Sequence, residues 1–423
     1  MTLENSAPAG SILVVGGGIS GLTTALEAAE VGYDVYIVEK TASLGGRVAQ
    51  LNQYFPKLCP PTCGLEINYK RIRDNARIKV LTLAEVESVS GGPGAYAVQV
   101  KLNPRYVNEH CTCCGACSAA ATTEVDDAFN LGMSKVKAAY LPHAMAFPQR
   151  YVVAPEIIGT DEAKTVAEAC PCKAINLDMQ PKVLNLVVGS VVWATGWAPY
   201  DAKKIDNLGF GRHANIITNM MLERLASKTG PTTGQILRPS DGKAPKSIAF
   251  VQCAGSRDEN HLPYCSYICC MASLKHATYI RAQYPDAEIY IYYIDLRAPG
   301  YRYEKFYKML KEDPKVHFIK GKVAAVAEEA DGNILVTAEN AVTGEKVQQN
   351  VDMAVLATGM EPSLAQAKPS ADLVFTPEGF IVNDYAKGGQ FACGCANKPA
   401  DVVSSNQNAT GMALKAIQTL VRR

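Results

Sequence analysis

Residues 11–39 read SILVVGGGISGLTTALEAAEVGYDVYIVE, and the fold turns on them. A short apolar strand pattern, residues 11–15, runs straight into G-x-G-x-x-G at Gly16, Gly18 and Gly21. A small-residue helix pattern follows, then a second strand ending in Glu39 beside Lys40. Strand, glycine loop, helix, strand and acid in one unit form a dinucleotide-binding fingerprint. Gly16 permits the tight turn, Gly18 lets the backbone approach a pyrophosphate, and Gly21 lets the helix pack on the strand. The helix N-terminus, from Ile19 and Ser20, offers unbonded N–H groups to phosphate. Glu39 would accept from ribose hydroxyls. The bland alternative is a glycine turn in an ordinary α/β unit.

The next motifs select the dinucleotide. Leu44-Gly45-Gly46-Arg47 follows Glu39, and two later strands end in Ala-Thr-Gly, VVWATG (Thr195, Gly196) and MAVLATG (Thr358, Gly359). Together they resemble the flavoproteins with two dinucleotide-binding domains, of the thioredoxin and glutathione reductase type, which implies FAD. Such proteins carry Ala-Gly-Asp against the flavin near the C-terminus. Here the stretch is Phe391-Ala392-Cys393-Gly394-Cys395, so Cys395 stands where Asp is usual. The segment from Asn406 through Asn408 to Gly411 is expected to open a helix whose N-terminus lies under the flavin ring and favours negative charge there.

A second strand–turn–helix–strand frame starts with SIAFVQC after a linker-like stretch at residues 228–245. No glycine-rich phosphate loop follows. Its place holds Cys253, then Cys265, Cys269 and Cys270. Four thiolates at a strand end and a helix start suit a 4Fe–4S cluster, because the helix dipole stabilises negative charge. Zinc, or thiols that are free or disulfide-forming, are the alternatives. Arg257 could raise the cluster's potential or simply pair with Asp258 or another carboxylate.

An insert of about eighty residues carries Cys111, Cys113, Cys114 and Cys117 at one end and Cys170-Pro171-Cys172 at the other. A two-cluster ferredoxin uses two runs of C-x2-C-x2-C-x3-C-P, each fourth Cys serving the other cluster. In the first run the fourth position is Ala121, and in the second the first three are Thr160, Ala163 and Val166. What survives is one whole ligand set, Cys111, Cys114, Cys117 and Cys170, with Cys113 and Cys172 spare. A decayed, metal-free insert is the alternative. Cys59 and Cys63 follow the flavin motif closely and are expected near the flavin ring, as a redox pair or as plain thiols.

The chain has 423 residues, 48% hydrophobic and 20% charged, enough for two or three domains with large cores. A net charge of +1 excludes a general nucleic-acid binder. No apolar run reaches the roughly 18 residues of a spanning helix, and the N-terminus lacks a signal-peptide pattern. A cytoplasmic chain is expected, with any membrane association peripheral. Fourteen cysteines against six histidines then point to redox or metal chemistry rather than disulfides. The histidines read as structural.

The GGGISGL start, the FPKLCPPTC segment, the QCAGSRD…YCSYICC constellation and the FACGC…DVVSSNQNATGMA ending resemble the A-subunit flavoprotein family of heterodisulfide reductase over essentially the whole chain. The resemblance implies FAD beside a cluster held by Cys253, Cys265, Cys269 and Cys270. Methanogen members carry further terminal cluster domains, which this sequence lacks, so electron bifurcation is not expected. Among short members, LNQYFPKLCPPTCGLEIN looks most like the A-type flavin subunit of the quinone-interacting membrane-bound oxidoreductase of sulfate reducers. That resemblance implies a second flavin/iron–sulfur subunit, a haem-bearing membrane subunit, and electrons passing from menaquinol toward adenylylsulfate reductase. A sulfur-oxidiser A-like subunit, an NAD(P)H-dependent disulfide reductase using Cys59/Cys63 or Cys269/Cys270, and an assembly subunit with structural FAD are the competing readings. The expected fold is α/β. An FAD domain is built from residues 1–103, 183–235 and 346–423. A ferredoxin-like insert spans 104–182, and a second Rossmann-like domain spans 236–345.

Overall fold

The computed structural model describes residues 10–421. Two units share one plan. In the first, five parallel strands lie in the order Gln390–Ala392, Ser190–Trp193, Ile12–Val15, Val35–Glu39, Ile78–Thr82. In the second the order is Ile216–Thr218, Met353–Thr358, Ser247–Ala254, Glu288–Tyr293, Val316–Lys320, again parallel. Each unit adds a three-stranded antiparallel sheet, Ala84–Gly92 with Ala95–Leu102 and Lys182–Val188, and Val323–Glu328 with Ile334–Glu339 and Lys346–Val351. The central parallel strands are mostly apolar and buried because both faces are covered. Ile12 and Val14 face one core and Leu13 and Val15 the other, as period-two alternation requires.

The second unit is larger than its sequence pattern suggests. Its sheet takes in Ile216–Thr218 and Met353–Thr358, outside the expected 236–345 boundary. Met353–Thr358 is buried at every position, the mark of a central parallel strand, and this pulls it away from the FAD unit. The chain leaves the first unit through Trp197–Pro199 and returns through Met360–Pro362, and these two crossings pair antiparallel.

The insert extends a hairpin. Ala95–Leu102 pairs with Lys182–Val188 in full register, so residues between them project from its open end. It has its own core, in which Ala121, Ala163 and Val166 pack with Cys117 and Ile157. The positions where cluster ligands are missing are thus filled by packed side chains. Thr160, the remaining one, caps the helix Asp161–Glu168 by accepting from Ala163 N–H.

Candidate flavin cavity and cysteine sites

A cavity of about 820 Å³ opens beside the first glycine loop and extends between the two units. Gly16, Gly18, Ile19, Ser20, Glu39, Lys40, Gly46, Arg47, Thr195, Gly196 and Cys395, all expected at the cofactor, line it. Three glycines are structural. Gly16 has φ +111°, and a Cβ there would stand 2.3 Å from Ala194 O. A Cβ at Gly21 would stand 1.9 Å from Gly16 O, and one at Gly46 would stand 2.9 Å from Gly18 Cα. Gly18 differs. Its φ is an ordinary −76°, and a Cβ would meet only Gly46 Cα at 3.8 Å. Its bareness keeps the cavity open at the N-terminus of the helix Ile19–Glu30.

Glu39 is buried, with Oε2 accepting from Gly17 N–H at 2.7 Å and Oε1 from Thr41 N–H and Oγ1–H at 2.8 Å. A carboxylate has further lone pairs for hydroxyls. Thr195 Oγ1 is buried without a partner among the described residues, as expected of a group that bonds a ligand. These features fit a dinucleotide. A Gly18→Val variant should fold and melt close to the parent yet retain at most about a tenth of its flavin, read as flavin absorbance per chain, because the new side chain enters the cavity. A Gly21→Ala variant should instead lose folded protein.

Not every expected residue reaches the cavity. Gly21 lies under the loop. Gly394, at φ +57°, turns the chain and donates to Asn408 Oδ1 at 2.9 Å, so Asn408 holds the turn that presents Cys395. Cys395 Sγ–H donates to Ala400 O at 3.4 Å. Thr358 and Gly359 end the second unit's strand and turn away from the cavity. Thr358 Oγ1–H donates to Asn219 Oδ1, and Gly359 packs against Ser256, Leu262 and Ser266. The helix expected from residue 406 begins at Val402, with Asp401 accepting from Ser404 N–H at 2.8 Å, and this terminus lines the cavity. Cys59 and Cys63 do not line it. Tyr54 and Phe55 of the same loop do, and Cys63 is exposed.

Sequence reasoning missed the far wall. Glu223, Lys275 and His276 line the cavity and are almost fully buried. Glu223 Oε1 meets Lys275 Nζ at 2.6 Å and His276 Nε2 at 2.5 Å, and Oε2 accepts from Asn52 N–H at 2.8 Å. Lys275 also donates to Gln53 O at 2.5 Å. Burial would raise the Glu223 carboxyl, but Lys275 and His276 outweigh it and hold it down to about 2. Burial keeps His276 neutral, and its Nδ1 has no partner among the described residues. The insert reaches the cavity through Phe129 and His143, whose rings stack at 4.4 Å. Buried Arg224 lies 4.6 Å over Phe129 and donates to Asn130 Oδ1 and Gln50 O, tying the insert, the second unit and the first unit's short helix Gly46–Gln50 together. Two histidines expected to be merely structural thus border the cavity. The only sequence signal was a Lys-His pair five residues after Cys270.

The second unit's cysteines gather next to this wall. Cys253 sits at its strand end with φ +58°, and Cys269 and Cys270 open the helix Cys269–Gln283. Cys265 lies in the loop before that helix rather than on its face, and its Sγ accepts from Tyr267 N–H at 3.3 Å. Each thiol interacts electrostatically with others of the set, and burial pushes up Cys253, to about 11, as well as Cys269 and Cys270. Neutral thiols are therefore stable here, and thiolates need a cationic centre. Among the described residues no three His, Cys, Asp or Glu side chains suit a single metal ion. Four thiols are the donor set that a 4Fe–4S cluster takes. Arg257 follows the carboxylate reading, with a different partner from Asp258: it pairs with Asp295 at 2.8 Å. Asp258 pairs with Lys322 instead.

In the insert, Cys111, Cys114, Cys117 and Cys170 line one small pocket with Tyr151. Cys172, expected to be spare, joins its rim, whereas Cys113 turns aside at φ +57° and donates to Gln149 O. Burial pushes the Cys117 thiol up to about 11.

Comparison with known proteins matches this geometry. Residues 14–67 match the NAD(P)-binding Rossmann-like domain family. The chain is 35% identical over 434 residues to the A-subunit of the ferredoxin/F420H2-dependent CoB-CoM heterodisulfide reductase of Methanosarcina acetivorans, covering 99% of this chain and 54% of that protein. It is 37% identical over 419 residues to the iron-sulfur A-subunit of the CoB–CoM heterodisulfide reductase of Methanocaldococcus jannaschii, covering 95% and 63%. The chain thus spans between half and two thirds of these relatives' length. Among solved structures, Lactococcus lactis thioredoxin reductase aligns with TM-score 0.53 at 12% identity, covering 98% of this chain and 99% of that one. The T. acidophilum enzyme aligns with TM-score 0.53 at 13% identity, covering 99% of each. The fold is that of the thioredoxin reductase flavoproteins.

Proposed function

We propose that this chain, related over nearly its whole length to the A-subunits of heterodisulfide reductase, is an FAD- and 4Fe–4S-bearing electron-transfer component of a larger oxidoreductase. One observation carries the reading: a glycine-built cavity is bordered on one side by the unit holding Cys253, Cys265, Cys269 and Cys270, and on another by the insert holding Cys111, Cys114, Cys117 and Cys170. Bound flavin would supply the junction between two-electron and one-electron carriers. The chain's own groups do the rest. Gly18 and the helix N-terminus receive the diphosphate, Glu39 the ribose, and Thr195 an acceptor on the ligand. Arg47, over Trp197 at 5.9 Å, sets a half-buried positive charge on the cavity wall. Neutral His276 offers Nδ1 as a proton acceptor while Glu223 fixes its other nitrogen.

In the finer reading, the chain works beside two partners: a second flavin/iron–sulfur subunit, and a haem-bearing membrane subunit. It passes electrons between the menaquinone pool and adenylylsulfate reductase in sulfate reduction. Residues 51–68, which resemble the flavin subunit of the quinone-interacting oxidoreductase, support it. No helix among the described residues is long and apolar enough to cross a membrane, and attachment would run through those partners.

Anaerobically purified protein should contain one FAD and about eight irons with matching sulfide, the content of two 4Fe–4S clusters. Cys114→Ala should lose about four. Retention of all iron in Cys114→Ala would make the insert a relic. NADPH should leave the flavin absorbance unchanged, since the second unit puts cysteines where a phosphate loop would stand. Bleaching by NADPH would restore the disulfide reductase reading.

A further inference from the structure

The helix Tyr301–Lys311 follows the segment that packs beside Cys270. Its inner face, Phe306 and Leu310 with Tyr303 and Tyr307, is spent on the second unit's core. Its outer face, with the loop before it, exposes Arg297, Arg302, Lys305, Lys308 and Lys311. Against them stand Glu304, already paired with Lys308, Glu312, and in the loop Asp295, already paired with Arg257. A chain with a net charge of only +1 therefore concentrates positive charge here. Tyr301 is 81% exposed and Met309 53%. Tyr267 is 38% exposed at φ +70°, stands close enough to Tyr303 to affect its phenol, and donates its N–H to Cys265 Sγ. Cys265, the least buried of the four cysteines, is thus bonded to the backbone of a residue whose own side chain is exposed.

We infer that this face docks an acidic protein carrying a one-electron redox centre. The inference rests on the reading of Cys253, Cys265, Cys269 and Cys270 as a cluster site, and adds where its outside partner sits. A cationic rim steers an anionic carrier and raises its association rate, and exposed aromatic and thioether groups give the contact its apolar centre. In each encounter one electron crosses and no bond changes: the carrier loses it and the cysteine-held centre gains it, or the reverse. A membrane surface suits the face less well, because the helix's apolar side is turned inward and leaves little to enter lipid.

The test measures binding of an acidic two-cluster bacterial ferredoxin, and of basic cytochrome c as its opposite, to the anaerobically purified chain at low and high salt. Arg302→Glu/Lys305→Glu should weaken ferredoxin binding about tenfold at low salt and flatten its salt dependence, with iron and flavin unchanged. Lys182→Glu/Lys346→Glu, an equal reversal on other exposed positions, should leave binding intact. Equal loss in both variants, or cytochrome c binding as tightly as ferredoxin, overturns the inference. So does reversal-sensitive binding to phosphatidylserine vesicles without ferredoxin binding. Iron-bearing protein whose affinity ignores the first reversal overturns the surface alone. Iron-free protein overturns the cluster reading and the surface with it.

Discussion

Glu223→Ala should cost about 3–5 kcal/mol of stability, the range for removing one partner of a buried ion pair. Lys275 and Glu223 are each 2% exposed at the side chain, so the orphaned ammonium has no water to turn to. Lys275 would keep Gln53 O and lose its counter-charge, and Asn52 N–H and His276 Nε2–H would lose their acceptor. The residues involved come from the loop after the helix Gly46–Gln50 and from two helices of the second unit, so the damage reaches the wall between units. Glu223→Leu with Lys275→Met should recover much of the loss, since replacing both charges by apolar groups is often neutral. The measurement is the midpoint of denaturant unfolding for the single and double variants. A single variant within about 1 kcal/mol of the parent would mean the network carries little.

The same network gives a pH dependence with a definite sign. Glu223 is held at about 2, below its ordinary 4.5, so it contributes stability above 4.5 that is lost as pH falls toward 2. His276 is lowered from 6.5 by burial, so below 6.5 the unfolded chain takes up a proton that the folded chain refuses. Both effects destabilise in acid. The unfolding midpoint should fall gently below pH 6.5 and steeply below 4.5, and Glu223→Leu/Lys275→Met should flatten the steep part.

The dinucleotide unit was legible in advance because its constraints are local. Gly16, Gly21 and Glu39 act within one strand–turn–helix–strand, and spacing alone states them. The gathering of the cysteines was legible for a related reason: their spacing places Cys253 at a strand end and Cys269 and Cys270 at the start of the next helix, with Cys265 in the loop before it. What the sequence hid is what the tertiary fold assembles. Glu223 and His276 are 53 positions apart, and neither stands out in its own helix. Phe129 and His143 lie within the insert, where no pattern says that its loops fold back on the flavin cavity. Thr358 misled because its Ala-Thr-Gly matches Thr195 in letters while its strand belongs to the other sheet. The unit boundary was misplaced for the same reason, since a strand's partner is set by pairing far along the chain.

Cys269→Ala should remove about four irons and leave the flavin. Cys269 is 5% exposed, and burial followed by the neighbouring Cys253, Cys270 and Cys265 pushes its thiol well up. Without iron Cys269 is a neutral, buried thiol that packs as a small apolar group, so alanine costs little folding energy here. With a cluster the same position carries a ligand whose loss removes the metal. The variant therefore separates the two descriptions: iron falls by half while the unfolding midpoint of metal-free protein moves by no more than about 1–2 kcal/mol. Cys393→Ala is the matched control. Cys393 is fully buried too, but its sulfur faces Thr24 Oγ1 at 3.7 Å, far from both cysteine sets in the chain. It should lose stability on the same scale and no iron. Equal iron loss in both variants would mean that a general loosening, not ligand removal, releases the metal. Unchanged iron in Cys269→Ala would return the four thiols to ordinary packing and leave flavin as the chain's redox centre outside the insert.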